Sequence, residues 1–188
     1  DAGDPIEPVT VALSGTGVGP NASVSPGAID FGGVETGDSS QVTVTVYNDG
    51  TLPLAVDGVG VTGAAAGAFD ASTASTIVPT GDTLSIPVAF EPTVPGARSA
   101  TLELVHNATG SPSTVALTGS GLAPNATANR SQLAFGSVNT ADPPATASLR
   151  VTNDGTAPLG LDAATLSGAG AFAVTDNGTA TVLAPGAN

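Results

Sequence analysis

The sequence predicts an all-β chain, and three observations support this prediction. Apolar and polar residues alternate in several short runs, which is the period of a strand with one buried face. Turn-forming residues separate these runs, with 25 Gly and 15 Pro among 188 residues. No segment of helical length has apolar residues at a spacing of 3.6. Short, regularly spaced strands with such turns are typical of an immunoglobulin-type β-sandwich of about 100 residues.

Three runs of alternating residues give the clearest strands. In the run at 41–47 every second residue is Val, which predicts a strand with one buried face. The runs at 84–90 and 100–105 alternate in the same way. Their inward positions are expected to hold Leu84, Ile86, Val88, Phe90, Ala100, Leu102 and Leu104. The sequence Asn-Asp-Gly at 48–50 predicts a turn, because Asn and Asp tolerate left-handed backbone and Gly accepts it freely.

The sequence also repeats itself. "LSGTG" at 13–17 returns as "LTGSG" at 117–121, and "VYNDGTLPL" at 46–54 returns as "VTNDGTAPL" at 151–159. Self-similarity over such a distance predicts tandem domains of the same fold. Further pairs lie 104 residues apart: Gly15 with Gly119, and Phe31 with Phe135.

The repeat divides the chain into three parts. We expect residues 1–17 to hold the last strand of a preceding repeat or an N-terminal donor strand, and residues 18–121 to form a complete immunoglobulin-like domain. Residues 122–188 are expected to form a second immunoglobulin-like domain, incomplete at its C-terminal end. This last part has no counterpart of residues 84–111. Two explanations remain open: the missing segment exists in the full protein, or a neighbouring subunit supplies strands to the open sheet edges.

Six motifs in order give the sequence a family resemblance. They are Phe-Gly-x-Val at 31–34, Asn-Asp-Gly-Thr-x-Pro-Leu at 48–54, Phe69, Pro-x-Gly at 79–81, "VAFEPTVPGARSATLELVHN" at 88–107 and "VALTGSG" at 115–121. With these motifs the chain resembles the Hydin-type (ASH) immunoglobulin-like repeat. That family is common in bacterial and archaeal surface proteins described as having a choice-of-anchor D domain. The resemblance covers essentially the whole chain and implies tandem immunoglobulin-like β-sandwich domains.

The charge of the chain limits its partners. Sixteen Asp and Glu stand against three basic residues, which gives a net charge of −13. Such a chain repels phosphate, so we expect no nucleic acid or anionic membrane surface as a partner. All three basic residues are Arg, and a surplus of carboxylates without Lys fits a halophilic surface. An acidic surface in a GC-biased sequence is the alternative.

Two further absences bear on function. No apolar run approaches the ~20 residues that a membrane-crossing helix needs, so no membrane insertion is expected in this segment. The chain has no Cys, which excludes disulfides, thiolate metal ligands and cysteine nucleophiles.

Two Gly-rich stretches, at 15–20 and 58–69, lack the Lys and the strand-to-helix context of phosphate loops. We expect them to be loops and interdomain joints.

The Asn-x-Ser/Thr sequence occurs five times, at Asn21, Asn107, Asn125, Asn129 and Asn177. That is more than chance alone would give in a chain with nine Asn and many Ser and Thr. Asn21 and Asn125 both follow a copy of the closing motif, in the loop that joins one domain to the next. A glycan there would not harm a core. We therefore expect N-glycosylation, first at these two positions.

Residues that can carry catalysis are present but lack a catalytic arrangement. His106 is the only His, and it has no partner nearby in sequence, so we expect an exposed side chain. Glu91 and Glu103 are candidates for a glycosidase carboxylate pair, but we expect two unrelated solvated acids. Four acids recur around the repeated turn, too far apart in sequence for a calcium loop: Asp49, Asp57, Asp154 and Asp162. We therefore expect no catalytic residue, no cofactor and no metal.

Together these observations predict a non-enzymatic extracellular tandem-repeat protein with a structural or adhesive role, such as a stalk or spacer on a cell surface. Its expected partners are neighbouring repeats or subunits, and a cell-surface protein or glycan. Two alternatives remain open, because one fold hosts many functions. The chain is then either a subunit of a surface filament assembled by strand exchange between chains, or an accessory module of a larger polysaccharide-acting enzyme.

Overall fold

The computed structural model describes residues 8–168, 170–175 and 181–188. Within these ranges the regular structure consists of thirteen strands and a short 3-10 helix, Ala66–Ala68, with no α-helix. None of the described segments contains a helix with the length and hydropathy needed to cross a bilayer. The predicted all-β fold is confirmed.

Nine strands between residues 22 and 122 form the first unit, which is predicted to end at 121. In chain order they are β1 (Ala22–Ser25), β2 (Ala28–Glu35), β3 (Ser40–Asn48), β4 (Leu54–Thr62), β5 (Phe69–Ala71), β6 (Thr76–Val78), β7 (Thr83–Phe90), β8 (Gly96–His106) and β9 (Ser113–Leu122). They form a four-stranded sheet of order β1-β3-β7-β5 and a five-stranded sheet of order β2-β9-β8-β4-β6. All neighbours are antiparallel except β2 and β9, which run parallel. This arrangement is the predicted β-sandwich.

The core lies between the two sheets and is built from the predicted alternating positions. Each inward-facing series runs along one strand, because successive side chains of a strand point to opposite faces. The buried apolar residues of the three predicted runs are Val44, Val46, Ile86, Val88, Phe90, Leu102 and Leu104. The alternation extends one step beyond the apolar residues in two strands, where Asn48 and His106 are also buried.

Three aromatic rings fill one region of this core. Phe90 lies with its ring centroid 4.8 Å from Phe69 and 5.6 Å from Phe31. The ring of Phe90 also lies against the backbone of Gly119 on β9, where an added Cβ would be only 2.7 Å from the ring. The first Gly of the repeated "LTGSG" motif is therefore required for close packing rather than for a turn.

One Gly-rich stretch differs from its prediction. The sequence predicts a loop at 58–69, but residues 58–62 form the second half of β4. They pair with β8 from Val59↔Leu104 to Thr62↔Thr101 after a bulge. Pairing with a long neighbouring strand outweighs the weak strand propensity of Gly at these positions.

The described residues of the second unit form four short strands: β10 (Ala126–Ala128), β11 (Val151–Asn153), β12 (Leu159–Leu161) and β13 (Thr181–Leu183). They form two separate antiparallel ladders, β10-β11 and β12-β13. These ladders correspond by sequence to the β1-β3 and β4-β6 pairs of the first unit. The rings of Phe135 and Phe172 lie 5.6 Å apart, which repeats the contact of Phe31 with Phe69.

The described part of the N-terminal segment has no regular structure. Residues 8–18 contain no strand and are exposed, and Val9 and Leu13 expose 91% and 92% of their surface. Gly15 and Gly17 have no atom near the position of an added Cβ. The roles predicted for this segment, closing strand of a preceding repeat or donor strand, remain predictions.

Candidate functional site

A buried asparagine marks the place where the chain enters the first unit. Asn48, the last residue of β3, is fully buried. Its Nδ2 donates hydrogen bonds to the carbonyl oxygens of Leu52 (2.9 Å) and Val78 (3.0 Å). Its Oδ1 accepts hydrogen bonds from the backbone N–H of Gly50 (3.0 Å) and Asn21 (3.5 Å). One side chain thus ties together the turn after β3, the end of β6 and the incoming chain, which satisfies its buried polar atoms.

The turn at 49–51 holds the incoming chain through its backbone as well. The N–H of Thr51 donates to the carbonyl oxygen of Gly19 (2.9 Å), and the N–H of Gly19 donates to Oγ1 of Thr51 (3.1 Å). The N–H of Asp49 donates to the carbonyl oxygen of Asn21 (2.9 Å). We call this arrangement of Asn48–Thr51 around residues 19–21 the joint clamp.

Gly50 is required in the clamp because the incoming backbone passes directly over it. A Cβ at this position would lie 2.4 Å from the nitrogen of Asn21 and 2.5 Å from the oxygen of Gly19. The turn predicted at 48–50 is present, but it does not use left-handed backbone, because none of the three residues has a positive φ. Gly is needed here for close approach of two backbone segments.

The same clamp occurs at the start of the second unit. Nδ2 of Asn153, again fully buried, donates to the carbonyl oxygens of Ala157 (2.8 Å) and Leu183 (2.9 Å). Its Oδ1 accepts from the N–H of Gly155 (3.0 Å) and Asn125 (3.2 Å). A Cβ on Gly155 would lie 2.3 Å from the nitrogen of Asn125. The clamp therefore forms in both units, although their sheets differ.

No free linker separates the two units. Leu122, the last residue of β9, still belongs to the first unit, because its carbonyl oxygen accepts from the N–H of Thr36 (2.8 Å) and its side chain lies over Gly33. Ala123 already belongs to the second clamp: its N–H donates to Oγ1 of Thr156 (3.1 Å), and its carbonyl oxygen accepts from the N–H of Thr156 (2.8 Å). The boundary therefore falls on a single peptide bond.

The four described glycosylation sequons fall into two groups. Asn21 and Asn125 lie beside the two clamps and are exposed. The side chain of Asn107 accepts a hydrogen bond at Oδ1 from the N–H of Ala55 (2.9 Å), and that of Asn129 accepts one from the N–H of Arg150 (2.9 Å). The fifth sequon, at Asn177, lies outside the described residues.

His106 is buried, so the prediction of an exposed side chain is wrong. Only 5% of its surface is accessible, because it occupies the next inward position of β8 after Leu104. Its Nδ1 accepts a hydrogen bond from the N–H of Ala108 (3.2 Å), so Nε2 carries the proton that it shares with Oγ of Ser113 at 2.9 Å. Burial lowers the pKa of His106 from its usual 6.5, because the charged ring would lose its hydration. This histidine is a structural core residue.

The candidate carboxylates are not brought together by the fold. Glu91 follows β7 in one sheet, and Glu103 lies on β8 in the other, where it accepts a hydrogen bond from Oγ1 of Thr62 (3.1 Å). Beside the clamps, Asp49 accepts a hydrogen bond from Ser23 and Asp154 accepts one from Thr127. Asp57 and Asp162 are exposed. In the part of the chain that the structure describes, no three His, Cys, Asp or Glu side chains are grouped to hold a metal ion.

Comparison with known proteins supports the same fold. Residues 20–120 match the family described as HYDIN/CFA65/VesB-like, Ig-like domain. The chain belongs to this family. The matched range begins at the first clamp and ends within β9, so it corresponds to the first unit. A search of curated proteins found no match.

Several solved structures are similar to the chain at low identity. The ASH/PapD-like domain 7 of human CEP192 is 14% identical, with a TM-score of 0.45, over 62% of this chain and 94% of that domain. The VesB protease of Vibrio cholerae is 18% identical, with a TM-score of 0.39, over 53% of this chain and 31% of the protease. The E. coli chaperone DraB is 11% identical, with a TM-score of 0.42, over 53% of this chain and 54% of the chaperone. This chain thus spans about a third of the protease and half of the chaperone, and the likeness gives no information about activity.

Proposed function

We propose that the chain is a non-enzymatic extracellular spacer, a stalk segment built from tandem immunoglobulin-like units. The observation that supports this proposal is the linkerless joint, in which Leu122 is held by the first unit and Ala123 by the second. A flexible tether would need free residues between the units. Hydrogen bonds on both sides of one peptide bond restrict bending and favour a stiff array.

The geometry of the first unit suits a spacer. Its two longest strands, β8 and β9, have 11 and 10 residues, which corresponds to about 33–36 Å at the usual rise per residue. Each added unit would extend the array by a similar length. The net charge of −13 keeps such an array soluble and discourages association between copies.

The N-terminal segment supports an array longer than the units seen here. In β9, Gly119 and Gly121 are required by close contacts with the Phe90 ring and with the carbonyl oxygen of Val94. The equivalent Gly15 and Gly17 have open space around them. Gly15 and Gly17 would have the role of Gly119 and Gly121 if this segment is the closing strand of a preceding unit, because that unit would supply the same close contacts.

A direct test measures the stiffness of the joint. The chain has no Cys, so cysteines introduced at the exposed positions Thr114 and Arg150 can carry two spin labels without background. We expect a single narrow distance distribution between the labels. Asn153→Ala removes the centre of the second clamp and should broaden this distance distribution. Thr118→Ala on β9 should leave the distribution narrow. A broad distribution in the otherwise unaltered chain would rule out a stiff joint.

A second candidate function is a filament subunit that exchanges strands between copies. The exposure of Val9 and Leu13 favours it, because their equivalents on β9 face the sandwich and a donated strand would bury them. This candidate predicts concentration-dependent oligomers that dissociate when residues 8–17 are deleted. The spacer predicts a monomer in both cases. The accessory-module alternative predicts a catalytic domain in the same open reading frame.

A further inference from the structure

We propose that, among the four sequons that the structure describes, Asn21 and Asn125, the asparagines beside the two joint clamps, are N-glycosylated, and that Asn107 and Asn129 stay unmodified. The proposal rests on the extracellular location in the proposed function, because glycan transfer of this kind requires export. It does not depend on the stiffness of the joint.

The first argument is the orientation of the sequon. From Asn21 to Ser25 the chain alternates strictly, with Ala22 and Val24 packed against the core and the other three residues exposed. Asn21 and Ser23, the two residues that define the sequon, therefore share the solvent-facing side of an extended segment. A glycosyl group on this side meets solvent rather than the sandwich.

The second sequon lies in the same strand register, although Ala126, unlike Ala22, is exposed. β10 pairs with β11 in the register in which β1 pairs with β3, with Ala126 opposite Asn153 as Ala22 is opposite Asn48. Asn125 and Thr127 are both exposed. Equivalent placement in two units, whose other surface residues differ, makes the sequon part of the repeated joint.

The third argument is the freedom of the amide group. The clamp holds Asn21 and Asn125 only through their backbone N–H and C=O groups. By contrast, the amide oxygens of Asn107 and Asn129 each hold the backbone N–H of another segment, at 2.9 Å in both cases. A glycan bonds to Nδ2 and leaves Oδ1 unchanged, but these hydrogen bonds fix the orientation of both amides, which hinders their entry into the acceptor site of a transferase.

The chemistry requires one co-reactant, a lipid-linked glycosyl phosphate donor used by a membrane glycosyltransferase. The amide nitrogen forms a bond to the anomeric carbon of the sugar and loses one proton. The bond between that carbon and the phosphate oxygen breaks, and the phosphate leaves on the lipid. No oxidation or reduction takes place. This chain supplies only the acceptor amide and the hydroxyl two residues later.

The test uses protein purified from the organism that produces it, after separation of the cell exterior from the cytosol. Mass spectrometry with electron-transfer fragmentation locates any added sugar. We expect a glycan mass on Asn21 and on Asn125 and none on Asn107 or Asn129. Unmodified Asn21 and Asn125 in exterior protein would overturn the proposal, and so would equal occupancy of all four. Protein found only in the cytosol would instead overturn the proposed function, and with it the export that this proposal needs.

Variants produced in the same organism provide matched controls. Ser23→Ala removes the sequon hydroxyl and its hydrogen bond to Asp49 but keeps Asn21, and it should abolish modification of Asn21 alone. Ser25→Ala, an exposed Ser on the same strand and outside any sequon, should leave occupancy unchanged. Asn107→Gln should leave the total glycan mass unchanged, and a fall in that mass would contradict the assignment.

Discussion

The two units carry the same joint clamp on very different amounts of sheet. The first has nine strands in two sheets, whereas the second has two separate two-stranded ladders among its described residues. β7 joins β3 to β5 in one sheet, and β8 and β9 join β4 to β2 in the other. Residues 122–188 contain no sequence counterpart of these three strands. The pairs that form in the second unit are those whose two partners are both present.

This difference shows that the clamp is a local device. Its hydrogen bonds agree between the units to within 0.3 Å around Asn48 and Asn153. The central strands are therefore not required to position the asparagine, the glycine and the incoming chain. By contrast, burial of the apolar residues depends on those strands. Phe172 exposes 58% of its surface, whereas the equivalent Phe69 exposes 7%.

The largest expected difference between the units concerns Leu54 and its equivalent Leu159. Leu54 is fully buried, whereas Leu159 is half-buried. Leu54→Ala should lower the free energy of unfolding of the first unit by about 2–5 kcal/mol, because it leaves a cavity. Tyr47, the only Tyr of the chain, lies on β3 and reports this unit by fluorescence in urea. Leu159→Ala should leave the Tyr47 transition unchanged; if it shifts that transition as far as Leu54→Ala does, the units are not independent.

Asn48→Ala should cost slightly less, about 2–4 kcal/mol, because it leaves two carbonyl oxygens without their donor. Asn48→Asp keeps the shape but cannot donate and places a carboxylate against those carbonyls, so it should cost at least as much at pH 7. Asn153→Ala should leave the Tyr47 transition in place and speed amide hydrogen exchange at Gly155. Unchanged exchange there would show that the second clamp holds without its asparagine.

Gly50→Ala comes next, at about 1–3 kcal/mol, because the new Cβ would overlap the backbone at Gly19 and Asn21. Gly60→Ala in β4 is the matched control, since an added Cβ there meets no atom within 4 Å. Gly155→Ala should affect only the second unit. If Gly50→Ala and Gly60→Ala prove equally mild in urea denaturation, close approach at the clamp is not what requires glycine.

The smallest effect is the pH dependence from His106, which has no counterpart in the second unit. Burial lowers the pKa of His106. At mildly acid pH the unfolded chain therefore binds a proton at this residue more readily than the folded chain does. Stability should therefore fall as the pH drops below the unfolded value of about 6.5 and level off below the folded pKa. In urea titrations between about pH 7 and pH 5, His106→Gln should remove this part of the slope. An identical slope in the variant would assign it to the carboxylates.

The strands were predictable because burial of one face imposes a period of two on the sequence. The same rule, carried one residue further, would have placed both Asn48 and His106 inside the sandwich, since each continues the inward series of its strand. The Asn-Asp-Gly motif instead places Asn48 in a turn, and the absence of a partner near His106 in sequence predicts an exposed side chain. Their burial depends on partners supplied by the fold, such as the carbonyl oxygen of Val78, which lies 30 residues away.

Other features could not be read from local sequence. The strand at 58–62 depends on pairing with β8, some forty residues later, and the requirement for Gly50 depends on a backbone segment thirty residues earlier. The repetition of Asn-Asp-Gly-Thr in both units, among residues that otherwise vary, was the signal for the joint. The sequons could be found by pattern alone, but separating the free amides from the bonded ones needed the hydrogen bonds of Asn107 and Asn129.

The single peptide bond between Leu122 and Ala123 has an evolutionary consequence. The residues that form the clamp all belong to one unit: its first segment, the turn after its third strand and the end of the strand that holds Val78 or Leu183. A duplication or loss of one whole period in the gene therefore produces a protein whose junctions are all intact. The length of such a protein can therefore change by recombination in steps of one repeat, without any new contact having to evolve.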